Sequence, residues 1–250
     1  MTLKLRSAAV SHLGLVRSGN QDSVYAGQWL IAVADGMGGM AAGDIASAIA
    51  IEAIIPVDAA TADDALVGAL DAALDAAGSR IRSAVAEDPS REGMGTTLTA
   101  LLLSVTGSCV ALAHVGDSRA YLLRDGLLEQ VTKDDTFVQL LVDEGVISAE
   151  EASSHPRRAV VTKAVQGDDI EPAYLTLVPR AGDRWLLCSD GLSNVVRDES
   201  LADLLTAYPD LDECARRLVD LALRAGGPDN VSVIVADIVG SADPNAIVAA

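Results

Sequence analysis

Side chains suited to soft metals or to thiolate chemistry are scarce in this chain, which has three histidines and three cysteines among its 250 residues. His12, His114 and His155 are too few and too badly spaced for a histidine-rich dinuclear site, and each reads as a structural side chain. Cys109, Cys188 and Cys214 are odd in number, far apart and set in apolar text, so reduced core thiols are expected and no disulfide framework is implied. None is followed six positions later by arginine, since Val115, Asn194 and Asp220 stand there. That excludes a phosphate cradle built around a thiolate nucleophile. An Asp-x-Asp-x-Thr aspartyl nucleophile and a Walker loop are also missing. Basic residues are few, 18 against 36 acidic ones, and the net charge of -18 opposes nucleic acid and anionic lipid as partners. No run of about 18 apolar residues marks a membrane span, and the opening MTLKLRSAAVSHLG lacks the apolar stretch of a signal peptide, so a cytoplasmic, soluble chain is expected.

What is present is enough apolar text, 50% of the residues, to build one sizeable core. A single domain over residues 1–240 is expected, with SADPNAIVAA at 241–250 as a tail or the start of a linker. Strand signals fall at Val24 to Ala34, Leu98 to Val105, Cys109 to Val115, Arg119 to Leu123, Arg184 to Cys188 and Val231 to Val239. The two runs separated by Val115-Gly116-Asp117-Ser118 read as neighbours in an antiparallel meander, continued through the turn Arg124-Asp125-Gly126. Leu66, Leu70, Leu74, Ala77, Ile81 and Val85 recur at helical spacing within a helix from about Ala62 to Glu87. Asp210, with Glu213 three residues on, opens a second helix that Gly226-Gly227 ends; Ala42 to Ile55 is a third, stopped by Pro56. This order lacks strict βαβ alternation and gives an α+β layered architecture. Between about Thr136 and Lys163 short helices and a loop interrupt the strands, which is the pattern of a lid beside a site and equally of a surface excursion.

Asp35, Asp117, Asp190 and Asp229 each stand at the edge of a strand-like run, in LIAVADG, CVALAHVGDS, WLLCSDG and PDNVSVIV. Each could be an ordinary turn residue. Converging carboxylates, however, are costly unless a cation neutralises them, and with oxygen ligands alone the expected ions are magnesium or manganese rather than zinc. In Asp35-Gly36-Met37-Gly38-Gly39 the glycines let the backbone approach an ion closely, so the Gly36 carbonyl can act as a ligand beside the Asp35 carboxylate. The same stretch fits the dinucleotide pattern G-x-G-x-x-A, with Asp58 about 20 residues on, and an NAD-type oxidoreductase is the rival it carries. Arg17, in Arg17-Ser18-Gly19-Asn20-Gln21-Asp22, is either a surface ion-pair residue or a fork that grips phosphate while Asp22 holds water beside a metal. Gly116-Asp117-Ser118-Arg119 could be a hairpin turn with an internal ion pair.

RSGNQD, DGMGG, GMGTT at Gly93 to Thr97, GDSR, SDG and GGPDN occur in an order that resembles the bacterial form of the metal-dependent serine/threonine protein phosphatases of the PPM, or 2C, type, over about residues 7 to 238. The resemblance implies two central antiparallel sheets flanked by helices, with a metal centre at one end and a flap at about 136–163. It implies that Asp35 bridges two manganese or magnesium ions, Gly36 lends one its carbonyl, and Asp190 and Asp229 complete the other. A third, weaker ion would rest on Asp117 with Asp190 shared. Arg17 would contact phosphate and Asp22 would orient water. The implied reaction is hydrolysis of phosphoserine or phosphothreonine by a water bridging the two ions, in a monomer opposing bacterial serine/threonine kinases and acting on their substrates. The alternative within this fold is an inactive module that binds phosphoproteins. Met37 departs from eukaryotic relatives, which carry there a histidine thought to protonate the leaving alcohol.

Overall fold

Strands covered on both faces carry apolar residues without interruption, and that is why runs such as Leu30 to Ala34 and Trp185 to Cys188 show no alternation. The computed structural model describes residues 2–38, 42–167 and 170–240; Gly39 of the glycine stretch and the tail 241–250 lie outside them. The chain opens with β1 (Leu3–His12), β2 (Asp22–Ala26) and β3 (Leu30–Met37), followed by helices α1 (Gly43–Ile54) and α2 (Leu66–Glu87). Five strands come next: β4 (Gly95–Thr96), β5 (Leu98–Leu103), β6 (Val110–Val115), β7 (Arg119–Arg124) and β8 (Leu127–Gln130). Short helices α3 (Phe137–Asp143) and α4 (Ala149–Ser153) precede β9 (Ala173–Leu177) and β10 (Arg184–Cys188). The chain then forms α5 (Asp190–Ser193), α6 (Asp198–Ala207), α7 (Leu211–Arg224) and β11 (Val231–Gly240).

Two antiparallel sheets result, one in the order β1-β11-β10-β7-β8 and the other β2-β3-β5-β6-β9 with β4 beside β3. Side chains sort by the period of two. Ile31, Val33, Leu101, Leu103, Leu112, Trp185, Leu187 and Ile234 fill the space between the sheets. Their neighbours Leu30, Ala32, Ala34, Ala100 and Leu102 face α1 and α2, while Leu186, Cys188, Val233 and Val235 face α6 and α7. Four layers are therefore stacked helix, sheet, sheet, helix. The stripe Leu66, Leu70, Leu74, Ala77 and Ile81 is buried along α2 as its spacing requires. Truncating any of these leucines would cost about 2–5 kcal/mol. Among the described residues no helix is long and apolar enough to cross a membrane.

Three details differ from the sequence reading. The run Val24 to Ala34 is two strands, because Asp58 accepts hydrogen bonds from the backbone N–H groups of Gln28, Trp29 and Leu30 and from the Tyr25 hydroxyl, pinning a turn between them. Next, β6 and β7 are not hairpin partners: β6 pairs β5 and β9, whereas β7 pairs β10 and β8. Residues 116–118 carry the chain from one sheet to the other. The real hairpin is β7 to β8 across Asp125 and Gly126, both at positive φ, the two-residue turn whose twist suits flanking strands. Finally β1, β9 and α6 were not expected. In β1 only Leu5 and Ala8 of ten residues are buried, so its text lacks a strong period. At α7, Asp210 accepts from the Glu213 N–H at 2.8 Å as expected, but the Glu213 carboxylate turns to Arg217 and leaves the capping box half made.

Candidate metal centre

Asp22 and Asp35 are register partners across β2 and β3 in one sheet. Asp190 follows β10 and Asp229 precedes β11, neighbouring strands of the other sheet. Asp117 lies in the three residues that cross between sheets. Strand ends and the connections that follow or precede them thus bring acids from both sheets to one end of the sandwich. There, a cleft of about 370 Å³ is lined by Arg17, Asp35, Gly36, Asp117, Asp190 and Asp229, with Met37, Thr97 and Asn230 beside them. Six of the seven expected residues line it. The seventh, Asp22, is buried, with its Oδ2 accepting from the Ser189 hydroxyl at 2.7 Å.

The backbone here is tightly specified. A Cβ on residue 36 would be driven into the Gly43 carbonyl, so only glycine lets β3 approach the start of α1. Asp35 is clamped from the GMGTT stretch: its N–H donates to Thr97 Oγ1 at 3.0 Å and its carbonyl accepts from the Thr97 N–H and Thr96 Oγ1 at 2.9 Å. Thr97 Oγ1 in turn meets the Ser118 hydroxyl at 2.7 Å, tying the Asp117 crossing to β3. Arg119 does not pair with Asp117; it grips Asp134 through Nε and Nη2, at 2.9 and 2.7 Å. The hairpin with an internal ion pair is thereby replaced by a crossing whose carboxylate is free for the cleft.

Burial and like charge dominate the electrostatics. Desolvation, then the charges of Asp22, Asp190, Asp117 and Asp229, pushes the Asp35 carboxyl well above the usual carboxylate range. Desolvation and Asp190 push Asp117 up to about 8, and desolvation and Asp229 push Asp190 up to about 6. Asp22 is raised by burial, against which the Ser189 hydroxyl works. Its other oxygen, Oδ1, is buried with no hydrogen-bond partner among the described residues. Partial neutralisation comes from Arg17, whose Nη2 lies 2.6 Å from Asp229 Oδ2 at the rim. Among the described residues no three acidic, histidine or cysteine side chains already form a closed metal cage. Asp229 and Asp190 are engaged by Arg17 and Asn194. The donor set is oxygen only, since no histidine or cysteine lines the cleft. Orphaned oxygen, raised carboxyls and hard donors together fit divalent cations such as manganese or magnesium.

The Protein phosphatase 2C family profile matches residues 16–223. This chain belongs to the protein phosphatase 2C family. Serine/threonine protein phosphatase PstP of Mycobacterium tuberculosis is 55% identical over 239 residues, covering 96% of this chain and 46% of that protein. The chain therefore spans less than half the length of that relative. A crystal structure of the M. tuberculosis phosphatase PstP/Ppp superposes with a TM-score of 0.92 at 54% identity, covering 95% of this chain and all of that one. A crystal structure of the PstP catalytic domain in complex with two manganese ions gives 0.89 at 53% identity, covering 96% of this chain and all of that one. The α+β sandwich expected from the 2C resemblance is the fold of this chain. The dinucleotide alternative fails on topology: β3 has antiparallel neighbours on both sides, and no parallel βαβ unit occurs among the described residues.

Three residues of this 2C-family centre escaped the sequence reading. Thr97 and Ser118 buttress Asp35 and Asp117, and Asn230 ties the Arg17 loop to the acid cluster. The motif strings GMGTT, GDSR and GGPDN contain all three, but a hydroxyl or amide inside a motif carries no sign of which backbone atoms it will meet.

Proposed function

We propose that residues 1–240 form one catalytic domain that hydrolyses phosphoserine and phosphothreonine esters in proteins with divalent cations bound. The convergence of four carboxylates and one arginine on a single cleft, in a 2C-family chain, carries this reading. Asp35, the Gly36 carbonyl, Asp190 and Asp229 would hold two manganese or magnesium ions, and Asp117 with Asp190 a third. When bound, such cations lower the pKa of a water and offset charge on the phosphoryl oxygens.

The chain's own groups do the rest. Arg17 exchanges its contact with Asp229 for the phosphate, presenting parallel N–H donors to two phosphate oxygens. Asp22, with one oxygen uncommitted, accepts a hydrogen bond from water at the floor of the cleft and orients it. Met37 can donate no proton, so the departing alcohol takes its proton from water in this open cleft. Residues 136–163 form the flap. Their neck is closed where the Phe137 N–H donates to the Val160 carbonyl and the Thr162 N–H to the Asp135 carbonyl, and Ala159 and Val161 reach the cleft wall. This segment shapes access for the protein substrate.

The domain works as a monomer in the cytoplasm, opposing serine/threonine kinases and acting on them or their substrates. The test is phosphate release from a phosphothreonine peptide with manganese, with and without chelator. Release that requires manganese is expected, and replacing Asp35 by Asn should lower it at least about 1,000-fold while the protein stays folded. Full turnover by that variant, or none by the wild type, would refute the proposal.

A further inference from the structure

Asn230 spends its whole side chain on the loop that carries Arg17. Residues 13–21 join β1 to β2 with no regular structure of their own. One Nδ2 hydrogen reaches the Leu13 carbonyl at 2.8 Å, on the limb entering the loop. The other reaches the Gly19 carbonyl at 3.0 Å, on the limb leaving it. Asn230 Oδ1 accepts from the Gln21 N–H at 2.8 Å, and the backbone N–H of Asn230 donates to Asp229 Oδ1 at 2.8 Å. Asn230 itself is 5% exposed, so its amide has no easy substitute for these partners in water, although Leu13 and Gly19, which supply the two carbonyls, are exposed.

We propose that Asn230 is the positioning residue for phosphate recognition: its amide staples the neck of the loop and thereby fixes Arg17 at the rim of the acid cleft. The chemistry needs a planar group with two donors and one acceptor. Aspartate keeps the acceptor but sets a charged oxygen against the Leu13 and Gly19 carbonyls, and alanine or serine cannot span the neck. The backbone N–H that Asn230 donates to Asp229 does not depend on its side chain, so replacing the amide releases the loop while this anchor of the acid cluster stays in place. Ordering of the loop by the amide lowers the entropic cost of presenting a long arginine side chain to a small anion.

The inference rests on the phosphatase reading, and its test separates the two. With manganese and a phosphothreonine peptide, kcat and KM are measured for the wild type, Arg17→Ala, Asn230→Ala and the double variant, with Asn230→Ser as a second probe should the alanine fail to fold. Asn230→Ala should raise KM about tenfold with kcat changed by less than about threefold, and should add less than about twofold to KM in the Arg17→Ala background. Trypsin supplies a readout independent of turnover. Cleavage after Arg17 should quicken in the Asn230 variants relative to cleavage elsewhere in the chain. A KM unchanged in both probes, KM effects that multiply in the double variant, or uniform proteolysis would overturn the positioning role. No phosphate release by the wild type would instead refute the activity on which the role depends.

Discussion

Asp117→Asn should stabilise the cation-free protein, and only above the ordinary carboxylate range of pH. Asp117 is 7% exposed, and burial with the nearby Asp190 charge lifts its carboxyl from 3.8 to about 8. In that interval the folded chain holds a proton that the unfolded chain has released, so stability falls as pH rises from about 4 to about 8. At pH 7 the unfolded carboxyl lies roughly three units past its midpoint, which at about 1.4 kcal/mol per unit gives a penalty near 4 kcal/mol as an upper bound. Relaxation of an open, wettable cleft reduces this, and a gain of about 2–4 kcal/mol is expected for the nearly isosteric amide at pH 7. At pH 4.5 both forms are close to neutral in the folded state, and the gain should be under about 1 kcal/mol. Urea unfolding with chelator present, at the two pH values, measures both numbers. A variant no more stable than wild type at pH 7, or a difference independent of pH, would refute the reasoning.

Two further outcomes follow from the same geometry. Because burial and the nearby Asp190 charge lift the Asp117 carboxyl to about 8 without a cation, manganese binding at pH 6.5 should release about one proton per chain from this group. Calorimetry in two buffers of different ionisation enthalpy would show this, and identical apparent enthalpies would contradict it. Gly36→Ala should lose more than about 2 kcal/mol in chelator, since its methyl meets the Gly43 carbonyl rather than a movable side chain; unfolding at the wild-type urea concentration would show the close approach to be slack.

The parts of the fold legible in the text were those whose signal is local. The stripe of α2, the Asp210 cap and the apolar runs of β5, β10 and β11 depend on spacing within one segment, and they stand where they were expected. Strands β1 and β9 were not legible because so few of their residues are buried, two of ten in β1 and none of five in β9, that no period shows; both are held by their neighbours, β11 and β6. The turn after Ala26 was hidden for another reason: Asp58, more than 25 residues away, supplies its acceptors. At the site, the acids announced themselves as strand-edge carboxylates in recurring motif strings. Arg119 shows the limit of that reading. Its sequence neighbour Asp117 was the nearest acid in the text, yet Asp134, from beyond the hairpin, takes the guanidinium in space.

Sequence alone determined that the chain builds a layered α+β core and carries oxygen donors without nitrogen or sulfur partners, because composition and spacing fix hydrophobic pattern and ligand chemistry before any folding occurs. Only tertiary structure decided that Asp117 sits on a passage between sheets, that Arg17 rests on Asp229, and that an asparagine amide closes the loop between them. Those outcomes depend on which distant backbone carbonyls and carboxylates two packed sheets bring within hydrogen-bond reach, a quantity no single segment encodes.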